Sequence, residues 1–242
     1  MNEQVQAALS RLREVVDSTW PVLLDFDGPV THYFINGRNQ RLADQLREVL
    51  ARHHIEIPEN VMDTYDPLTV LRWSALHTPK HVSSEVDAAS VDGEYRCAEE
   101  SDPTPGAVEF LDACRNVGRP VVIVSNNAEG PIRAFLTRWQ LVYLVHSVIG
   151  RTPNRPDLMK PHPHLVEQAL QLFDHPTDRY AFIGDSVSDI QVSHTAGVRS
   201  IGYMKNSRRG DELAAAGADA LFLEMNNLAA VVRESARLAR KG

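Results

Sequence analysis

Only two cysteines occur in 242 residues, Cys97 and Cys114, too few and too separated for a disulfide framework or a zinc site. That scarcity points to a reducing, cytoplasmic setting. No apolar run approaches the roughly 20 residues that cross a bilayer. The N-terminus, MNEQVQAALSR, lacks the basic head and apolar core of a signal peptide. Internal repeats and low-complexity tracts are missing too. Positive charge is in deficit, with 25 Lys and Arg against 32 Asp and Glu and a formal net charge of −7, so there is no basic footprint for nucleic acid. The expectation is an unexported soluble protein, monomer or homodimer, whose partner is neither nucleic acid nor membrane. Its length suits one large domain, or one domain with another inserted into it.

The stretch Pro21 to Val30, PVLLDFDGPV, organises the rest. A short apolar run that meets Asp25, Asp27 and Gly28 reads as a buried strand delivering carboxylates to a sheet edge. Strand alternation sends Asp25 and Asp27 to the same side. Two anions that close call for a shared proton or a cation, and a hard divalent ion such as Mg²⁺ suits oxygen ligands. A polar strand end followed by a turn would look the same in isolation.

Before this stretch, Val5, Leu9, Leu12 and Val16 recur at helical spacing, predicting an amphipathic helix over residues 2–18 that packs on the core or on a second copy. After it, Leu42, Leu46, Val49 and Leu50 share one helix face, and 61–76 and 82–97 are further helices, the first interrupted at Asp66-Pro67. Residues 32–102 therefore form a small helical unit, and SDPTPG (101–106) a linker and helix start. An α/β rhythm follows: helices over 106–117, 129–139, 163–173, 188–196 and 228–239 alternate with strands over 120–124, 142–149, 180–183, 199–204 and 220–223. This predicts an α/β fold, a doubly wound parallel Rossmann-like sheet made by residues 1–31 plus 103–242, interrupted by the helical insert. Ligands of such sheets sit beyond the carboxyl ends of the strands.

Four strand ends carry matching groups. The first supplies Asp25 and Asp27. VVIVSNN supplies the Ser125 hydroxyl with Asn126 and Asn127, donors suited to phosphate oxygens. LMKPHP places Lys160 at a helix mouth, where an ammonium pairs with the same anion. FIGDSVSDI supplies Asp185 and, a helical turn later, Asp189. Carboxylates from two strands, a cation and a hydroxyl are what phosphoryl transfer needs. His162 and His164 lack the further ligand a metal pair would require, and read as solvated or capping groups. On the insert, Arg38, Arg72 and Trp73 are candidates to touch a leaving group.

In order and strand context, DFDGPV, VSNN, Lys160-Pro161 and GDSVSD resemble the four motifs of the haloacid dehalogenase superfamily, on its phosphoglycolate-phosphatase-like side. The resemblance covers residues 20–30 and 104–205, and the helical insert matches that family's first-type cap in position and helicity. It implies Asp25 as a nucleophile forming an aspartyl-phosphate. Asp27 would be general acid and then base. Mg²⁺ would be held by Asp25, the Asp27 backbone carbonyl, Asp185 and Asp189, with Ser125, Asn126 and Lys160 on the phosphoryl group. Two departures are visible, Pro29 where the family often has threonine and Thr195 where alanine is frequent. Pro29 puts in question the turn into the insert.

The resemblance also sorts branches. Dehalogenases of this superfamily lack the second aspartate, so Asp27 argues for phosphate chemistry. Phosphonate-cleaving members carry a cap lysine, and Lys80 is the only lysine of the insert. The leading expectation is a Mg²⁺-dependent phosphatase acting on a small phosphomonoester. Alternatives are a phosphomutase on the same core, a phospho-accepting receiver and a non-catalytic binding module.

Overall fold

The computed structural model describes residues 3–239; Asn2, where the first predicted helix begins, lies outside the described residues, as does the side chain of Val5. The elements in chain order are α1 (Glu3–Ser18), β1 (Val22–Leu24), α2 (Arg38–Arg52), α3 (Glu59–Met62), α4 (Pro67–His77), α5 (Lys80–Glu100), α6 (Ala107–Val117), β2 (Val121–Val124), α7 (Glu129–Arg138), β3 (Ser147–Ile149), α8 (His164–Leu170), β4 (Ala181–Gly184), α9 (Val187–Ala196), β5 (Arg199–Tyr203), α10 (Ser207–Ala215), β6 (Ala220–Phe222) and α11 (Met225–Ala239).

The strands form one parallel sheet in the order β3-β2-β1-β4-β5-β6. The central strands read as unbroken apolar runs because both faces are covered. On one face Val22 and Leu24 join α1, α6, α7 and α11 through Leu12, Val16, Phe110, Phe135 and Leu228. Leu23 on the other joins Val122, Phe182 and residues of α8 and α9. The apolar face of α1 is thus spent on the core, with Leu12, Val15 and Val16 buried. In register, Leu24 lies opposite Ile123 of β2 and Ile183 of β4, so the three chains leave the sheet side by side. β1 is the first strand of the chain and sits between β2 and β4, where the strand order turns, the place where doubly wound sheets bind ligands.

Helices α2 to α5 gather their apolar residues into a separate cluster that includes Leu42, Leu46, Leu50, Val70, Leu71 and Val86. The predicted break is present: Asp66 caps α4 by accepting the Leu68 amide, with Pro67 at its first position. Gly93 of α5 exists for packing, since a Cβ there would meet a Leu42 methyl at 2.2 Å.

Two sequence expectations need correction, and one helix was not foreseen. The predicted strand 142–149 is only Ser147–Ile149; Val142–Leu144 is one turn of 3-10 helix that leaves Val142 and Tyr143 exposed. Apolar composition cannot distinguish such a turn from a strand. The predicted helix 163–173 is the shorter α8. Helix α10 escaped notice because it buries only Leu213 and Gly210 and so shows no apolar stripe; Asn206 caps it by accepting the Arg209 amide.

Candidate active site

Immediately after β1 the chain stops being a strand. The Val30 and Thr31 amides both donate to the Phe26 carbonyl, and the Gly28 amide donates to Thr31 O, which closes a tight turn. Asp25 faces carboxylates from the neighbouring strand, and Asp25, Asp185 and Asp189 each offer an oxygen within 4.8 Å of the others'. The Asp27 carboxylate is outside this group. Its Oδ1 accepts the Tyr33 amide at 2.8 Å, and the Phe34 amide also donates to it.

Two glycines make the approach possible. A Cβ on Gly28, whose φ is +112°, would lie 2.7 Å from Asp185 Cγ. One on Gly184 would lie 2.3 Å from Asp189 Oδ2. Asp185 is not the helix cap. Ser186 caps α9 in a reciprocal box with Asp189, which frees Asp185 for the site.

Lys160 is buried where β1, β2 and β4 meet. Its Nζ lies 2.9 Å from Asp25 Oδ1 and 2.7 Å from Asp189 Oδ1, and donates to Val124 O at 3.1 Å. Burial opposes the ammonium, but Asp189 and Asp25 more than offset it and its pKa ends above the ordinary value. Asn126 fixes the Lys160 main chain from both sides: its Oδ1 accepts the Lys160 amide at 2.7 Å and its Nδ2 donates to the Lys160 carbonyl at 3.2 Å. Ser125 is buried at the end of β2, with Oγ donating to Asn127 Oδ1 at 3.1 Å.

Burial raises the pKa of Asp25 to about 8, against the pull of Lys160 and with Asp189 and Asp185 adding to the rise. Burial likewise lifts Asp185 to about 6 and raises Asp27, in both cases opposed by Lys205. Sequence reasoning missed Lys205. It follows β5, and its Nζ is 2.5 Å from Asp185 Oδ2. The only available signal was its place just past a strand end on the ligand side of the sheet.

The donor set fits a hard divalent cation. It is three carboxylates, Asp25, Asp185 and Asp189, each offering an oxygen within 4.8 Å of the others', which is the all-oxygen donor set such an ion takes.

The insert candidates lie differently from the leaving-group role given them. The Arg38 guanidinium is buried and donates to the carbonyls of Tyr33, His32 and Glu100, clamping both chain crossings into the helical unit. Arg72 donates to the Lys160 carbonyl at 3.0 Å, so it touches the back of the lysine loop. Trp73 stacks on His77 and packs against the cluster of α2 to α5. His162 accepts the His164 amide on Nδ1, a capping contact.

Comparison with known proteins gives these features a family. The sequence profile of haloacid dehalogenase-like hydrolases matches residues 21–197. A phosphoglycolate phosphatase of Rhodobacter capsulatus is 31% identical over 107 residues, 43% of this chain and 46% of that protein. A phosphonoacetaldehyde hydrolase of Nitratidesulfovibrio vulgaris is 27% identical over 191 residues, 71% of this chain and 62% of that protein. The chain thus spans between about half and three-fifths of the length of these two curated relatives. In fold, a predicted phosphatase from Clostridium acetobutylicum superposes with a TM-score of 0.68 at 16% identity, covering 89% of this chain and 99% of the other.

Proposed function

The chain belongs to the haloacid dehalogenase-like hydrolases, and on that premise we propose that it is a phosphatase of small phosphomonoesters working through an aspartyl-phosphate on Asp25. The observation that carries this reading is the Lys160 ammonium bridging Asp25 and Asp189, with the raised carboxyl of Asp27 on the turn that follows.

Asp25 Oδ1 is held by the Phe26 amide at 2.8 Å and by Lys160, which fixes the carboxylate and leaves its other oxygen to attack phosphorus. As the new P–O bond forms, the ester P–O bond breaks and the leaving oxygen takes the proton of the Asp27 carboxyl. Burial keeps that proton available, and the Tyr33 and Phe34 amides aim the group. The ionised Asp27 then takes a proton from water, whose oxygen attacks the acyl phosphate and releases phosphate and Asp25. Lys160, the Ser125 hydroxyl and the Asn126 backbone amide grip the phosphoryl oxygens. Asp25, Asp185, Asp189 and the Asp27 carbonyl would hold Mg²⁺, which supplies positive charge against the repulsion between ester and carboxylates. Residues 32–102 act as a cap that limits water and selects substrate.

C–P bond cleavage through a lysine imine is disfavoured. Lys80 stands exposed at the first position of α5, where nothing desolvates its amine.

The test is hydrolysis of p-nitrophenyl phosphate with Mg²⁺ or chelator. Asp25→Asn should lose activity about a thousandfold or more, and Asp27→Asn should accumulate a phosphorylated protein. Full activity in Asp25→Asn would refute the reading.

A further inference from the structure

The site holds a cation for which the mechanism above has no use. Lys205 lies in the loop between β5 and α10, beside β4, and its ammonium pairs with Asp185. It is a leading charge on Asp27, whose pKa it lowers. The side chain is 30% exposed, so part of it faces outward while its ammonium pairs with Asp185. Around it stand His32, half-buried, and Tyr203, with their rings stacked at 6.5 Å and 16°. Burial and Lys205 both hold His32 below its ordinary pKa, so the imidazole adds no second positive charge.

Lys160, by contrast, is buried, with its ammonium set against Asp25 and Asp189 at 2.9 and 2.7 Å. The two ammoniums therefore face different parts of any bound ester. The alcohol portion must lie next to Asp27, because that carboxyl gives it a proton, and Lys205 is the cation there.

We propose that Lys205 is a specificity-determining residue that receives a second anionic group carried on the alcohol portion of the ester. This rests on the phosphatase reading. An ammonium is strongly hydrated, and a substrate that covers it must replace that water. A neutral alcohol portion cannot, whereas a carboxylate or a second phosphate accepts its free N–H groups in charge-assisted bonds. Both anions share this chemistry, and the reach from the ester oxygen separates them.

The experiment compares ethyl phosphate, carboxymethyl phosphate and ethane-1,2-diyl bisphosphate, at saturating Mg²⁺, on the wild type, Lys205→Met and Lys205→Arg. The wild type should prefer one of the two esters that bear a second anionic group. Lys205→Met should lower kcat/KM for that ester about ten- to a hundredfold more than it lowers kcat/KM for ethyl phosphate, with the extra loss mostly in KM. Lys205→Arg should restore most of the difference. A uniform fall across the three esters, or an unchanged preference in Lys205→Met, overturns the assignment. If the wild type turns over none of them, the phosphatase reading fails by itself. Calorimetric binding of the same three compounds to Asp25→Asn, with and without Lys205→Met, then decides Lys205: a preference for the compounds with a second anionic group that Lys205→Met abolishes supports it, and no preference overturns it.

Discussion

Adding Mg²⁺ at different pH values puts the acidic cluster under its most direct test. Burial lifts Asp25 from 3.8 to about 8 and Asp185 from 3.8 to about 6. Both carboxyls thus hold protons more tightly folded than unfolded. Their contribution to stability is fully present below the ordinary carboxylate value and is lost as pH rises through the two folded values. For Asp185 alone the shift of two units amounts to about 3 kcal/mol, and Asp25 adds to it in the same direction. Lys160 does not cancel this, because its raised pKa changes stability only above the ordinary lysine range. A divalent cation needs both carboxylates ionised. At about pH 7 an Asp25 titrating near 8 is about nine-tenths protonated, so binding should expel about one proton. Apparent affinity should then rise about tenfold per pH unit between about 6 and 8, and more steeply below about 6 where Asp185 joins. Titration calorimetry of Mg²⁺ in two buffers of different ionisation enthalpy measures the proton count. Thermal unfolding with and without Mg²⁺ measures the linkage, and the stabilisation should grow with pH across this window. Binding without proton release, together with a melting shift independent of pH, would refute the assignment of these carboxyls as its ligands.

Three substitutions probe the supports of the site. Gly28→Ala places a Cβ 2.7 Å from Asp185 Cγ at a φ of +112°; it should weaken Mg²⁺ binding about tenfold or more and cost about 1–3 kcal/mol in denaturant unfolding, and unchanged binding would contradict the cradle. Asn126→Ala removes both hydrogen bonds on the Lys160 main chain; kcat should fall about ten- to a hundredfold with little change in melting temperature, whereas a change confined to KM would show that the lysine loop holds itself. Arg151→Met leaves the buried Glu94 and Asp87 of α5 without their counter-charge; unfolding should cost about 3–5 kcal/mol, with part recovered on adding Glu94→Gln, and no recovery would mean that the pair is not the cause.

What the sequence revealed is what short-range pattern can carry. Asp25, Ser125 and Asp185 each follow a brief apolar run, because buried parallel strands are apolar on both faces and their ends are the first places where a polar side chain is tolerated. The β3 region failed on the same evidence: Val142, Tyr143 and Leu144 are apolar without being strand, and the exposure of Val142 and Tyr143, which composition does not carry, is what tells them from a buried strand. Lys205 failed for another reason. It stands twenty positions from Asp185, and only the parallel pairing of β4 with β5 brings the two ends together. The backbone amides that hold the Asp27 carboxylate come from the turn after β1, and strand periodicity carries no sign of them.

The insert shows a further limit, and it has a physical origin. A chain that leaves the sheet after β1 and returns before α6 carries buried carbonyls at both crossings, and each needs a donor. Arg38 serves His32, Tyr33 and Glu100; Arg138 serves Ala98 and Ser101; Trp139 also serves Ser101. Guanidinium groups suit this because their donors fan out in one plane, so an arginine read from sequence as a substrate contact is spent on the main chain. The segments 31–37 and 101–106, which join the insert to the sheet, are therefore tied at both crossings, and Arg151 joins α5 to the loop after β3 through Asp87 and Glu94. Rocking the whole insert would have to break buried ion pairs, which costs far more than moving exposed side chains. The flank beside Asp27 is the less closed one, with Lys205 30% exposed and His32 half-buried, so on the proposed reading it is the side from which an ester should enter.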